Sequence, residues 1–300
     1  MATKSSNADA WLQELDLFHE PEHQAYLWEH AETDPAQDTH PAALLIHGFP
    51  GTPMETRPLG THLHARGWSV SAPLLPGFGP EIDTLFERDH EEWIAEAQTA
   101  LRQLQAHHDP VLVIGHSMGG AIALTVAANH KPHGVALLAP FWRLPFSSPW
   151  LRLLSPILRL FIRRTRPFQT LDLSSSEMQD DIDAYLPDVD LDDPEVREQI
   201  RNFTVPTRLF EQLERLGTKA YEAASRITAH TLIVQGIEDE LVSRSLTRKL
   251  MTRISGPVEY CEIHAEHNLL MTEAPGWHRV KTHVQAFANR LNDRAERNDI

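Results

Sequence analysis

The sequence predicts an α/β fold, with a mostly parallel central sheet, helices on both faces and an inserted helical cap. Three observations predict it. Short apolar runs alternate with longer amphipathic stretches from about residue 40; the alternation stops after Pro140; and it resumes near His230. Strands alternating with helices pair in parallel, because each crossover helix returns the chain to the same end of the sheet.

Residues 42–46 form an apolar run that suits a strand buried on both faces. Residues 55–66 read as a helix stopped by Gly67, and 68–75 as a second strand. Residues 90–107 put Trp93, Ile94, Ala97, Leu101 and Leu104 on one helical face. Residues 111–114 are the next strand, 117–130 a helix and 134–139 another strand. After the break, 230–235 is a strand, 243–254 a helix, 258–263 a strand and 277–291 the closing helix. The expected organisation is a flexible arm over 1–20, with one helical turn at 11–18. The core spans 21–140 and 227–292, the helical cap 141–226 and the tail 293–300. No strand is expected in the cap.

The 300 residues carry 42 acids against 27 bases, a net charge of −15. Such a chain repels phosphate, so no nucleic-acid partner is expected. Cys261 is the one cysteine, which excludes an internal disulfide and fits a reducing compartment. The first forty residues lack the apolar stretch of a secretion signal, and no run is long enough for a membrane span. A cytoplasmic location is therefore expected.

The cap divides its charge. Residues 141–171 hold six arginines and no acid, whereas 172–199 hold eleven acids and one arginine. Three readings fit: pairing between the two halves, a peripheral contact of the basic stretch with lipid, or a contact with a second copy. The oligomeric state is not set by the sequence. Trp142, Leu144, Phe146, Trp150 and Leu154 offer an apolar wall for an acyl chain, with Trp142, Phe146 and Leu154 as candidate substrate contacts.

The chemistry centres on Gly115-His116-Ser117-Met118-Gly119, directly after the strand at 111–114. A serine on a sharp strand-to-helix turn, with glycines two residues to either side, is the form of a nucleophile elbow. A serine hydroxyl needs a base, and the base needs an acid to orient it. In this architecture they follow as acid and then histidine, on loops after late strands. Glu238, Asp239 and Glu240 follow the strand at 230–235, and Asp239, mid-turn, is the chosen acid. His264 and His267 follow the strand at 258–263. His267 lies deeper in its loop and is the chosen base. The backbone N–H of Met118 is one expected oxyanion donor. The second is that of Phe49, in the glycine-rich loop after residue 46, because Pro50 has no N–H.

On these residues the chain resembles the α/β-hydrolase superfamily, and within it the bacterial carboxylesterases and monoacylglycerol lipases. The matching pieces are Leu45-Ile46-His47-Gly48-Phe49 with Gly51-Thr52-Pro53, Arg57-Pro58-Leu59, Arg66-Gly67-Trp68, Pro76-Gly77-Phe78-Gly79, the elbow, Gln235-Gly236 with Asp239, and His267. The likeness covers roughly residues 40–140 and 225–290. It implies an α/β-hydrolase fold, a triad of Ser117, Asp239 and His267, and oxyanion donors at Phe49 and Met118. It implies hydrolysis of short- to medium-chain esters or monoacylglycerols through an acyl-enzyme, with no metal and no organic cofactor. The alternatives on the same triad are thioester, lactone, amide or carbon–carbon hydrolysis and acyl transfer. A non-catalytic binding protein on this fold is the remaining class. Two departures, Pro50 and Phe78, fall near the expected site entrance and bear on substrate range.

Overall fold

The computed structural model describes residues 18–30, 40–144, 164–166, 169 and 192–297. Seven strands form the main sheet: β1 (Tyr26–Trp28), β2 (His40–Ile46), β3 (Ser69–Ala72), β4 (His108–His116), β5 (Gly134–Leu138), β8 (His230–Gly236) and β9 (Val258–Ile263). Their spatial order is β1-β3-β2-β4-β5-β8-β9. β1 runs antiparallel to β3, and every other neighbour is parallel.

The helices are α1 (Pro53–His64), α2 (His90–His107), α3 (Met118–His130), α4 (Pro194–Asn202), α5 (Thr207–Ala223), α6 (Arg244–Met251) and α7 (Trp277–Glu296). The two-residue pleat sorts the central strands onto two cores. Leu44, Ile46, Val111, Val113, Val135, Leu137 and Ile233 pack with α2, α3 and α5 on one face. Leu45, Leu112, Ile114, Ala136, Leu138, Leu232 and Val234 pack with α1 and α7 on the other. Residues buried on both faces are why these strands read as unbroken apolar runs.

Helix starts follow local chemistry. The Thr52 hydroxyl accepts from the Met54 N–H at the start of α1. Asp89 and Glu92 make a reciprocal capping box at α2. α3 differs: Ser117 stands at its N-cap position but makes no side-chain cap.

Four expectations change. β1 is an additional strand, pinned by Arg57, whose guanidinium lies 4.5 Å from the Tyr26 ring and 5.5 Å from that of Trp28. The region 141–226, expected to be free of strands, contains a short ladder of β6 (Arg164–Thr165) against β7 (Val205–Pro206). Its described helices are α4 and α5. The closing helix runs on through Glu296, into residues expected to form a tail. Phe78, expected near the site entrance, is fully buried behind the 47–52 loop, edge-on to His47, Phe49 and Trp93. Residues 1–17, with the turn expected at 11–18, and most of the charge-divided cap lie outside the described residues. No described helix is long and apolar enough to cross a membrane.

Candidate active site

The C-terminal ends of parallel strands point their loops to one edge of the sheet, where such folds place ligands. Three chain segments converge there: the turn after β4, the loop after β8 and the loop after β9.

Ser117 sits on the turn between β4 and α3 with φ +50° and ψ −115°. A positive φ on a residue with a Cβ is strained and needs surrounding structure to hold it. Its N–H donates to the Leu138 carbonyl at 2.9 Å, and its carbonyl accepts from Gly120 at 2.9 Å and Phe141 at 3.0 Å. The flanking glycines are required by contact. A Cβ on Gly115 would stand 2.2 Å from the Gly119 carbonyl oxygen, and one on Gly119 would stand 2.1 Å from that of Ile46.

The Ser117 hydroxyl lies 2.9 Å from His267 Nε2, and His267 Nδ1 lies 2.9 Å from Asp239 Oδ2. With the carboxylate accepting from Nδ1, Nε2 is left with the lone pair that accepts from Ser117. Asp239 is locked independently of the histidine. Its Oδ1 accepts from the N–H groups of Leu241 at 3.0 Å and Val242 at 2.7 Å, and its Oδ2 also accepts from Gln235 Nε2 at 2.9 Å. Gln235 is held in turn by the Thr247 hydroxyl at 2.6 Å and the Val242 carbonyl at 2.9 Å. The Asp239 side chain is 0% exposed.

The neighbours weighed against these residues lie elsewhere. Glu238 and His264 are exposed and face each other at 3.8 Å. Glu240 is exposed as well.

The Met118 N–H opens α3, where the helix dipole favours negative charge. Phe49 lies in the loop between β2 and α1. Among the described residues, neither N–H donates to a protein acceptor. His47 fixes this loop: its Nδ1 donates to the Gly48 carbonyl at 2.9 Å, and its Nε2 accepts from the Leu75 N–H at 3.2 Å. Burial holds its pKa below the ordinary 6.5, although the bond to Gly48 and the Glu55 charge oppose that shift. It is a neutral structural histidine.

Trp142 is committed to packing. Its ring stacks on Tyr221 at 4.4 Å, and its indole N–H donates to the Leu246 carbonyl at 3.0 Å. Phe146 and Leu154 lie outside the described residues. Among the described residues no group of three or more His, Cys, Asp or Glu is placed to hold a metal.

The sequence reading gives no role of their own to Gln235, Thr247, His47, Glu55 or His116. Gln235 and His47 were legible as the residues entering the two loops. The contact of Glu55 with His116 spans 61 positions and left no local signal.

The family described as serine aminopeptidase, S33 (Hydrolase_4), matches residues 37–273. The chain belongs to this family. A curated relative, the thermostable monoacylglycerol lipase of Bacillus sp. (strain H-257), is 32% identical over 100 residues, 33% of this chain and 40% of that protein. The carboxylesterase of Bacillus subtilis (strain 168) is 31% identical over 95 residues, 31% of this chain and 39% of that protein. The matched stretch thus spans about two-fifths of either relative. Among solved structures, one from the work on the metagenome-derived lipolytic enzymes LipS and LipT aligns with TM-score 0.67 at 19% identity, covering 90% of this chain and 98% of the other. That likeness, with the family match, establishes the α/β-hydrolase fold.

Proposed function

We propose that this protein is a serine esterase that cleaves carboxylic esters of short to medium acyl chains, monoacylglycerols among them. The observation that carries the reading is the unbroken hydrogen-bonded run from Ser117 through His267 to Asp239, on a strained turn at the strand ends. The names of the two curated relatives support the ester class.

In this reading Ser117 Oγ attacks the ester carbonyl and its proton passes to His267 Nε2. Asp239 holds the Nδ1 proton and offsets the imidazolium charge without itself being protonated. The tetrahedral oxyanion is held by the N–H groups of Phe49 and Met118. His267 then gives its proton to the departing alcohol, leaving an acyl-Ser117 ester. Water, deprotonated by His267, releases the acid and restores the hydroxyl. No metal or organic cofactor takes part. The core is assigned to 21–140 and 227–296, the cap to 141–226 and the location to the cytoplasm. Vesicle co-sedimentation with and without anionic lipid separates lipid contact from pairing within the cap.

Ser117→Ala should lower p-nitrophenyl butyrate turnover by roughly 10⁴-fold or more and abolish labelling by a fluorophosphonate probe. Undiminished hydrolysis by that variant would overturn the proposal. A chain-length series of p-nitrophenyl esters and monoacylglycerols then defines the acyl preference. The family description favours one second reading, amide cleavage at a peptide N-terminus. An aminoacyl p-nitroanilide turned over faster than every ester would select it.

A further inference from the structure

We propose that Glu55 and His116 form a buried positioning pair that ties the loop carrying the His267 base to the loop carrying the Phe49 N–H. The proposal rests on the esterase reading above and assigns roles to two residues outside the triad and oxyanion hole.

His116 is the last residue of β4, immediately before Ser117. Its Nδ1 lies 2.5 Å from Glu55 Oε1, and its Nε2 lies 2.9 Å from the carbonyl oxygen of His267. The other oxygen of Glu55 accepts from the Gly48 N–H at 2.6 Å. One carboxylate therefore holds the backbone just before Phe49. Through one imidazole it also holds the backbone of the base. The side chains of His116 and Glu55 are only 2% and 13% exposed.

The bonding pattern sets the protonation. A carbonyl oxygen can only accept, so Nε2 of His116 must donate to His267. Glu55 accepts from Gly48 through one oxygen; with the carboxylate ionised, its other oxygen accepts from Nδ1. Both ring nitrogens then carry protons, and the ring is an imidazolium beside a carboxylate. Burial opposes both charges, but their attraction outweighs it, so the His116 pKa is raised and that of Glu55 lowered.

An apolar pair would fill this site at less desolvation cost, since buried ion pairs seldom add net stability. What an apolar pair cannot do is donate to the His267 carbonyl and accept from the Gly48 N–H. The His116 and His267 rings lie 5.2 Å apart. The titratable groups facing His116 are Glu55 from α1, Asp239 from the β8 loop and His267 from the β9 loop, the last through its backbone carbonyl, with His47 beyond Glu55.

The test uses the full chain with Glu55→Gln, His116→Leu and the double variant Glu55→Gln/His116→Leu, which removes both charges if a single variant fails to fold. We expect kcat on p-nitrophenyl butyrate to fall about 10- to 100-fold with little change in KM, as for a displaced base. Long-range ¹H–¹⁵N spectra of histidine-labelled wild type at pH 7 should show one buried ring protonated at both nitrogens, and Glu55→Gln should lose that signature. A kcat within two-fold of wild type in a folded variant would overturn the proposal. So would a spectrum lacking the doubly protonated ring. If wild type cleaves no ester while the imidazolium signature is present, the esterase reading fails and the pair stands as a structural contact.

Discussion

His267 and His116 each set a ring nitrogen against a carboxylate, Asp239 at 2.9 Å and Glu55 at 2.5 Å, with their rings 5.2 Å apart. They differ at the other nitrogen. His267 Nε2 faces the Ser117 hydroxyl, which can surrender a proton. His116 Nε2 faces a carbonyl oxygen, which cannot. The first ring offers a lone pair to that proton, while the second, beside an ionised Glu55, donates from both nitrogens. The anchoring of the carboxylates differs too. Asp239 accepts two backbone N–H groups and the Gln235 amide, so its place does not depend on His267. Glu55 has one backbone donor, Gly48, besides its histidine. Identical side-chain types thus serve as base machinery or as a brace according to the partner of one nitrogen.

The sharpest way to break this comparison is to change what Asp239 offers. Asp239→Asn keeps the shape but can turn a donor toward His267 Nδ1, forcing the tautomer whose Nε2 carries the proton. We expect kcat to fall roughly 10⁴-fold with the fold intact, measured as p-nitrophenyl butyrate turnover beside thermal unfolding. A loss under ten-fold would mean that Asp239 does not orient the base.

Next in size is the turn that presents the nucleophile. A Cβ at position 119 would meet the carbonyl oxygens of Ile46 at 2.1 Å and His47 at 2.6 Å, both backbone atoms unable to rotate away. Gly119→Ala should destabilise the chain by about 1–3 kcal/mol or more, seen in denaturant unfolding, and should lower turnover because β2 and the oxyanion loop must shift together. Unchanged stability would mean that this contact is loose.

How much of this was legible in sequence follows from the range of each interaction. Strands β2, β4, β5 and β8 announced themselves because burial on both faces makes them largely apolar, and β9, at the sheet edge, by its apolar–acidic alternation. The elbow was legible because its two glycines flank the serine at fixed spacing, Gly115 demanded by the Gly119 backbone and Gly119 by that of Ile46 and His47. Asp239 and His267 were chosen as loop residues following strands, and the structure brings them together. Tyr26–Trp28 was not legible: three residues give no period, and the strand depends on the Arg57 guanidinium from α1. Glu55 read only as a residue of the first helix, and His116 as the variable position of the elbow. Their meeting is tertiary.

The two kinds of buried histidine also predict opposite pH limbs of stability. Burial lowers the His47 pKa below 6.5, so its neutral form is favoured in the folded chain. That contribution is complete above pH 6.5 and fades as pH falls below it. The His116 pKa is raised, so its contribution is complete below pH 6.5 and fades as pH rises through the raised value. Glu55, lowered from 4.5, contributes above that value and loses its contribution below it. Tm should therefore fall on both sides of a mildly acid maximum. His47→Gln should flatten the decline just below pH 6.5, and His116→Leu the alkaline one. A scan from pH 4 to 9 in which either variant keeps the wild-type limb would remove that histidine from the account.

The smallest effect belongs to a third histidine–carboxylate pair, Glu238 with His264, which lies one residue from Asp239. Its atoms are 3.8 Å apart and its side chains 59% and 77% exposed. Water screens the attraction, and holding two mobile side chains in one geometry offsets most of what remains. Glu238→Gln should leave kcat/KM within about two-fold and stability within ~0.5 kcal/mol of wild type. Measured beside Asp239→Asn, it isolates the contribution of burial, since adjacent acids on one turn then differ in solvent access and in their hydrogen-bond donors. A loss approaching that of Asp239→Asn would show that the carboxylates exchange roles and that the buried Gln235–Asp239 contact does not select between them.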